Sequence, residues 1–279
     1  MRFTKLQASG NDFILVDWRG QPSRDWPALA RRLCHRHLGV GGDGLLLVLS
    51  SRKADLSMRL FNADGSEAET CGNGLRCFAK YAVEAGLAPK GSVKVETKAG
   101  IKTVVPIFER GKAVRAQVNM GTPRLAPKDI PANVPVDITP VLEYPLKVGG
   151  RVLRLSLVSM GNPHAVAFIR GDVAAFPLAR LGPLVESHPL FPQRTNFEVV
   201  RAVSRTEMEA RVWERGVGET LSCGSGASAI MVVARLLKKA GDEVAVRLPG
   251  GTLSLSWNGK GDVLLTGPVE RVFEGEWIE

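Results

Sequence analysis

Two short motifs in the sequence combine a cysteine with a glycine-rich turn. They read CGNG at 71–74 and CGSG at 223–226. After each turn, apolar residues recur at the spacing of a helix, and Gly86 and Gly241 supply stop signals. The pattern therefore predicts that each thiol lies at or just before the N-terminus of a helix, and that the second helix is buried on almost every side.

A thiol in that position has a specific chemistry. The first turn of a helix leaves backbone N–H groups unpaired and carries roughly half a positive charge, which lowers the pKa of a nearby thiol. Glycines let a carboxylate approach those N–H groups closely. When two such turns face one carboxylate, one thiolate removes the α-proton and the opposite thiol returns a proton to the other face. The helix amides stabilise the enediolate charge, so the motifs predict a racemase or epimerase that needs neither a metal nor a pyridoxal cofactor.

An internal repeat places one turn in each half of the chain. Asn11 precedes Cys71 by 60 residues, and Asn162 precedes Cys223 by 61. A Glu-Thr pair stands just before each cysteine. The proline-rich segment 121–145, near the midpoint, is predicted to be a linker or an extended excursion. These matches indicate a duplication.

Periodicity along the chain indicates a sheet-rich α+β fold. A helix capped by Ser23 and ending near Gly39 is predicted in addition to the two that follow the cysteines. Because helices and strands do not alternate as βαβ units do, a doubly wound sheet is not expected. Alternating apolar residues predict strands at 92–97, 112–119, 151–159, 207–213, 243–248 and 252–257.

Composition and charge narrow the function classes. With 44% hydrophobic and 23% charged residues, the chain is typical of a globular protein. No apolar run approaches the roughly 18 residues that a membrane span needs, and the charged start does not fit a signal peptide, so we expect a cytoplasmic protein without membrane contact. The net charge is +9, but the basic residues are scattered, which favours a solvated surface over nucleic-acid binding. The cysteine spacings match no zinc pattern, so no metal site is predicted.

Scarce asparagines and one charged pair fit a small zwitterionic ligand. An amide donates to a carboxylate and accepts from an ammonium group, which suits an amino acid. The adjacent Glu214 and Arg215 supply both charges, and Arg binds a carboxylate with two hydrogen bonds. His164 is either a secondary polar or proton-relay group or a structural histidine. The asparagines in glycine-rich or turn-like segments are Asn11, Asn62, Asn73, Asn162 and Asn196.

Together these segments resemble the diaminopimelate epimerase family, in the family's order and over nearly the whole chain. The resemblance is carried by FTKLQASGNDFILVD at 3–17, GVGGDGLLL at 39–47, FNADGSEAETCGNGLRCFAKY at 61–81, GNPHAVAF at 161–168, TNFEV at 195–199 and VWERGVGETLSCGSGASA at 212–229.

The resemblance implies a cofactor-independent enzyme that interconverts LL- and meso-diaminopimelate, on the route to lysine and peptidoglycan. It also implies two similar α+β domains, each a curved β-barrel-like sheet around a central helix, with the site in the cleft between them. The first would span residues 1–120, completed by 268–279, and the second residues 121–267. The small amino acid is the expected partner, and a homodimer is left open.

The same resemblance implies roles for individual residues. Cys71 takes the place of the proton acceptor and Cys223 that of the donor, with the roles exchanged in the reverse direction. His164 and Glu214 match positions that assist catalysis. Substrate-binding positions are matched by Asn11, Asn62, Gly72, Asn73, Asn162, Asn196, Glu214, Arg215, Gly224 and Ser225.

Two positions depart from the family pattern, and two cysteines lie outside it. Gly44 stands where many members have glutamine, so that contact is lost or supplied by another group. Ser225 stands where threonine is common and keeps the hydroxyl. Cys77 follows Cys71 by about 600° at 100° per residue and should face away from it. With Cys34, it is predicted to be a packing residue.

Other functions remain open on the residues alone. The first is a related racemase of another amino acid, such as histidine or hydroxyproline, because Gly44 departs from the pattern. The second is a thiol redox protein in which Cys71 and Cys223 form a reversible disulfide. The third is a basic binding module without chemistry.

Overall fold

The chain forms two compact units. The computed structural model describes residues 1–135 and 138–278. The first unit comprises Met1–Asn119 and Thr266–Glu279, and the second comprises Met120–Leu265. The second unit is therefore inserted into the sequence of the first. Over the described residues, both are rich in strands and carry two α-helices each, which confirms the predicted α+β class.

The elements alternate irregularly between strands and helices. Those of the first unit up to the insertion are β1 (Arg2–Ala8), β2 (Asn11–Asp17), α1 (Trp26–Cys34), β3 (Gly44–Leu49), β4 (Leu56–Asn62), β5 (Glu67–Ala68), α2 (Gly72–Glu84), β6 (Val93–Thr97), β7 (Gly100–Glu109) and β8 (Lys112–Gly121). They are followed by β9 (Tyr144–Val148), β10 (Arg151–Ser159), β11 (Pro163–Phe168), α3 (Leu178–Glu186), β12 (Asn196–Ala202), β13 (Glu207–Glu214), β14 (Gly218–Thr220), α4 (Gly224–Leu236), β15 (Glu243–Leu248), β16 (Gly251–Ser256), β17 (Val263–Pro268) and β18 (Glu270–Glu276).

The two units pair their strands in the same order. In the first, β1–β2 is antiparallel, β2–β3 parallel, β3–β4 and β4–β5 antiparallel, β4–β6 parallel and β6–β7 antiparallel. In the second, the strands from β10 to β16 repeat this series of orientations in turn. β18 pairs with β1 as β9 pairs with β10, antiparallel in both cases. The repetition confirms the duplication inferred from the sequence.

The helices that follow the two cysteines lie in the cores of their units. In α4, every residue from Gly226 to Ala234 is buried, as predicted. It packs against β10, β11, β12, β15 and β16. In α2, buried residues extend from Asn73 to Val83 with Tyr81 half-buried, and the helix packs against β1, β2, β3, β6, β7 and β18.

The six predicted strands are confirmed as β6, β8, β10, β13, β15 and β16, but three helix boundaries differ from prediction. Asp25, not Ser23, caps α1: its carboxylate accepts the Ala28 N–H at 3.0 Å. That helix ends at Cys34, before Gly39, because the next residue has extended backbone angles. α4 ends before Gly241, and Lys238 just beyond it adopts a left-handed conformation at φ +57°.

The proline-rich segment 121–145 is packed against the core of the second unit, unlike a free linker. It contains a short 3₁₀-helix at Pro127–Asp129. Ile130 and Val141 are fully buried in a cluster with residues of β10, β11 and β12. Residues 136–137 of the segment lie outside the described residues. Among the described helices, none combines the length and the apolar character needed to cross a membrane.

Candidate active site

Each of the two cysteine turns begins a core helix in the predicted way. Cys71 is the N-cap of α2 with extended backbone angles of −151° and 123°, and its carbonyl accepts the Leu75 N–H at 2.8 Å. Cys223 is the N-cap of α4 with angles of −125° and 115°, and its carbonyl accepts the Ala227 N–H at 2.9 Å. The Cys71 side chain is half-buried and that of Cys223 is buried. The two thiols therefore occupy equivalent backbone positions in the two units.

The Cys223 thiol is held by its own turn. Its Sγ accepts the Gly226 N–H at 3.3 Å and lies 3.4 Å from the Ser225 hydroxyl. A Cβ added at Gly226 would lie 2.9 Å from the Glu198 carboxylate and 3.3 Å from the Cys223 Cβ. Only glycine fits this position without displacing its neighbours.

Burial reverses the expected effect of the helix on Cys223. Removal from water raises the pKa of this thiol well above its ordinary 9.0, and the negative charge of Glu214 raises it further. Hydrogen bonds with Ser225 and the Gly226 N–H offset part of the increase. The sequence led us to expect a lowered pKa at a helix N-terminus, which is wrong for this cysteine because burial and a nearby carboxylate outweigh the helix charge. Cys223 is therefore a protonated thiol near neutral pH.

Glu214 lies at the end of β13 and interacts with that thiol. Its carboxylate also accepts the Thr220 hydroxyl at 2.5 Å. Burial raises the pKa of Glu214, while the hydrogen bonds from Thr220 and Cys223 work in the opposite direction. A carboxyl with a raised pKa in contact with a thiol is suited to exchange a proton with it.

A buried polar chain leads from the same turn to His164. The His164 ring, on β11, lies 3.0 Å from the Asn162 side-chain oxygen through Nε2 and 2.7 Å from Glu198 through Nδ1. Asn162 in turn donates to the Ser225 hydroxyl at 3.4 Å. Both His164 and Glu198 are 0% exposed. Sequence reasoning missed Glu198, although a carboxylate inside the apolar strand NFEVV was a visible signal.

Asn196 and Arg215 are hydrogen-bonded to each other beside this row of buried polar side chains. The Asn196 side-chain oxygen accepts the Arg215 backbone N–H at 2.9 Å, and its amide donates to the Pro163 carbonyl at 2.8 Å. The Arg215 side chain is exposed and reaches the Gln193 carbonyl at 3.1 Å. The structure therefore brings together the predicted residues of the second unit, namely Asn162, His164, Asn196, Glu214, Arg215, Cys223 and Ser225.

In the first unit two candidate asparagines lie at strand ends and the third lies in a helix. Asn11 donates to the Asp43 carboxylate at 2.8 Å, and this carboxylate also accepts the Asp12 N–H at 3.0 Å. Asn62, at the end of β4, donates to the Ser66 hydroxyl at 2.9 Å and is exposed. Asn73 is buried in the first turn of α2.

Gly44 is required by the packing of its strand. It pairs with Asn62 across β3 and β4. A Cβ at this position would lie 2.9 Å from the Phe61 carbonyl oxygen and 3.0 Å from Leu60 Cδ1. A side chain as large as glutamine therefore does not fit here without displacing the Phe61 backbone or Leu60.

The two remaining cysteines are packing residues, as predicted. Cys34 is 2% exposed, and burial raises its pKa to about 12. Cys77 is 0% exposed, and burial raises its pKa as well. Over residues 1–135 and 138–278, no group of three or more His, Cys, Asp or Glu side chains is arranged to hold a metal ion.

The sequence is similar to known proteins over nearly its whole length. The family model for diaminopimelate epimerase matches residues 3–126 and 156–272. Proteins named diaminopimelate epimerase from Pelotomaculum thermopropionicum and Moorella thermoacetica are each 47% identical over 279 residues, with 99% of both chains covered. The protein of that name from Acetivibrio thermocellus is 44% identical over 277 residues, covering 99% of this chain and 98% of its own.

Solved structures share the fold at low sequence identity. A phenazine biosynthesis protein of the PhzF family from Bacillus anthracis has a TM-score of 0.71 at 20% identity, covering 100% of this chain and 99% of its own. A probable proline racemase from Agrobacterium radiobacter also has a TM-score of 0.71, at 16% identity, covering 99% and 92%. These structures support the two-domain α+β architecture, whereas the full-length sequence relatives identify the family. This chain belongs to the diaminopimelate epimerase family.

Proposed function

We propose that this protein is an isomerase that interconverts LL- and meso-diaminopimelate, with one thiol removing the α-proton and the other adding a proton to the opposite face. The observation that carries the proposal is the repeated position of Cys71 and Cys223, each capping a core helix in units with the same strand order. Full-length relatives that carry the epimerase name supply the substrate class. Each unit acts as one domain, with the C-terminal segment completing the first.

The proposed reaction moves one proton at each face of the α-carbon. The thiolate of Cys71 takes the α-proton, and the electron pair of the broken C–H bond is held as an enediolate on the substrate carboxylate. The thiol of Cys223 then gives its proton to the opposite face, which leaves a thiolate on Cys223. The raised pKa of Cys223 supports its role as the donor in this direction. The reverse reaction exchanges the two roles.

The surrounding groups hold the substrate and the donor. The backbone N–H groups of Gly72–Asn73 and Gly224–Ser225 bind the reacting carboxylate. Glu214 and His164 adjust the protonation of the thiols, since Glu214 already contacts Cys223. The zwitterionic far end of the substrate is bound by Asn11, Asn62, Asn162, Asn196, Glu214 and Arg215.

The decisive test is isomerisation in D2O. Purified protein with LL-diaminopimelate should produce meso-diaminopimelate, with one deuterium entering at the α-carbon, as followed by chiral chromatography and NMR. Proline, hydroxyproline and histidine serve as matched alternative substrates. Exchange at one of these without exchange at diaminopimelate would indicate a different racemase. Activity only after oxidation of the thiols would instead indicate a redox protein.

The proposal also places the protein in the cytoplasm. The mechanism needs reduced thiols, which the cytoplasm maintains. A homodimer remains a prediction, and sedimentation of the purified protein will measure it.

A further inference from the structure

Arg76 is a fully buried arginine next to the first thiol turn. It lies in α2, five residues after Cys71, and is 0% exposed. Its guanidinium donates to the Gly72 carbonyl at 3.4 Å, to the Ser9 hydroxyl at 3.2 Å and to the Pro268 carbonyl at 3.2 Å. These three acceptors are uncharged. Over the part of the chain that the structure describes, no carboxylate forms an ion pair with this guanidinium.

A buried cation without a carboxylate partner is costly unless another negative group faces it. Burial lowers the pKa of Arg76, and the thiols of Cys77 and Cys71 act against that change. Cys77 remains neutral because burial raises its own pKa. Cys71, which is half-buried, is the thiol that can carry the compensating charge.

The position of the guanidinium directs its charge toward Cys71. Helix side chains lean toward the N-terminus, and the bond from Arg76 to Gly72 places the guanidinium over the first turn. Gly72 is the residue directly after Cys71. The charge of Arg76 therefore adds to the positive end of the helix.

The matching positions of the second unit have the opposite electrostatics. Five residues after Cys223 stands Ser228, whose hydroxyl donates to the Gly224 carbonyl at 2.9 Å. It therefore binds the carbonyl equivalent to the one that Arg76 binds at Gly72, but without a charge. Nine residues before the cysteines, the first unit has Asn62 and the second has Glu214. The repeat thus pairs one thiol with a cation and the other with a carboxylate.

Other charged groups around α2 are neutralised or exposed. Ion pairs join Lys5 on β1 to Asp12 on β2, Lys80 to Glu84 within the helix, and Arg271 on β18 to Glu84 and Glu274. β3 has no charged residue. Asp17 on β2 pairs with Arg19. The remaining charged groups on the packed strands and beside the turn, none of which is buried, are Arg2, Glu69, Lys94, Glu96, Lys102, Glu109, Glu270 and Glu276. Tyr81 is a half-buried phenol on α2 itself.

We propose that Arg76 is a positioning residue that stabilises the thiolate of Cys71, so that the resting enzyme holds a thiolate on Cys71 and a thiol on Cys223. The proposal rests on the proposed role of Cys71 as the base. It explains why two backbone-equivalent cysteines begin the reaction in different protonation states.

The test is the pH dependence of Cys71 alkylation by iodoacetamide in the Cys223→Ser background, measured by peptide mass spectrometry. In Arg76→Met, the midpoint pH should rise by about one unit, as expected for loss of a charge near a partly buried thiol. Arg76→Lys, which keeps a cation, should shift the midpoint less. Arg59→Met is the matched control, since Arg59 on β4 pairs with Glu67 on β5 and its loss should leave the midpoint unchanged.

Several results would overturn the inference. They are an unchanged midpoint in folded Arg76→Met, or equal shifts in Arg76→Lys and Arg76→Met. If Arg76→Met does not fold, the alkylation midpoint of Cys71 is measured in the Cys223→Ser protein that keeps Arg76. A midpoint pH at or above about 8.5, the pKa of free cysteine, contradicts a stabilised thiolate. Isomerisation of diaminopimelate is assayed separately, so failure of the proposed function and failure of this inference are distinguishable.

Discussion

At the scale of single residues, the two thiols share a backbone position but differ in surroundings. Cys223 is buried against Glu214 and Ser225, and both burial and the carboxylate keep it protonated. Cys71 is more exposed and shares its helix with Arg76. A two-base reaction needs one base and one acid at the start, and unlike surroundings supply this difference before the substrate binds.

Replacing either thiol should abolish isomerisation. Cys71→Ser or Cys223→Ser removes a group of suitable acidity from one face, so we expect kcat to fall by about 10³-fold or more. Cys34→Ser is the control, since Cys34 is a buried packing residue in the core of the first unit. It should cost stability and leave kcat near its normal value. A near-normal rate in either active-site variant would remove that sulfur from the mechanism.

Glu214 should make stability depend on pH. Because folding raises its pKa above the ordinary 4.5, the folded protein holds this proton more tightly than the unfolded chain does. The stabilisation is complete below pH 4.5 and is lost as the pH rises through the raised folded value. The unfolding free energy of the native protein should therefore fall relative to Glu214→Gln as pH increases above 4.5 in urea titrations. A difference that stays constant with pH would contradict this environment for Glu214.

At the scale of elements, the N-termini of α2 and α4 hold the thiols, and the glycines of the two turns differ in how much space they leave for an added side chain. A Cβ at Gly226 would lie 2.9 Å from Glu198, whereas one at Gly74 would lie 3.4 Å from Leu46 and 3.6 Å from Cys71, at ordinary contact distance. The second turn is therefore the more constrained of the two.

This difference predicts unequal effects of the same substitution. Gly226→Ala should displace Cys223 or Glu198 and lower kcat by about 10²-fold, as expected for a misplaced catalytic group. Gly74→Ala should cost much less activity and stabilise the helix by up to about 1 kcal/mol. Kinetics and thermal unfolding of the two variants provide the comparison. Equal losses of activity would show that the crowding at Gly226 does not control the thiol.

The sequence predicted those elements whose pattern is local. Both cysteine helices and the alternating strands were found because apolar spacing and glycine stops are visible within a few turns. β3 was not predicted, since its residues are almost all buried and its apolar run does not alternate. Asp25 replaced Ser23 as the cap of α1 because the choice depends on which side chain reaches an N–H group.

The parts of the site that the sequence missed depend on distant partners. Glu198 contacts His164 from a neighbouring strand, and Arg76 meets Ser9 and Pro268 from two far segments of the chain. A single sequence gives no register between such segments. The raised pKa of Cys223 was missed for the same reason, since it depends on burial and on Glu214.

At the scale of the whole molecule, the proposed mechanism requires the two units to present their thiols to one small substrate. Mild oxidation should then join Cys71 and Cys223 in a disulfide. Diamide, which accepts the two electrons and two protons that the thiols lose, should inactivate the enzyme, and dithiothreitol should restore it. Peptide mapping under non-reducing conditions will identify the linked cysteines. Inactivation that dithiothreitol does not reverse would contradict the bridge.

The insertion of one unit into the other also determines the order in which the protein is completed during synthesis. β1 is synthesised before the second unit, but its partner β18 is synthesised after that unit, with Arg2 paired to Glu276. The Met1 amino group also donates to the Trp277 carbonyl at 2.6 Å. The second unit is continuous and is able to fold while β1 still has an open edge. Nascent chains therefore pass through a stage in which this edge is exposed to aggregation, and chaperone binding at that stage would protect it.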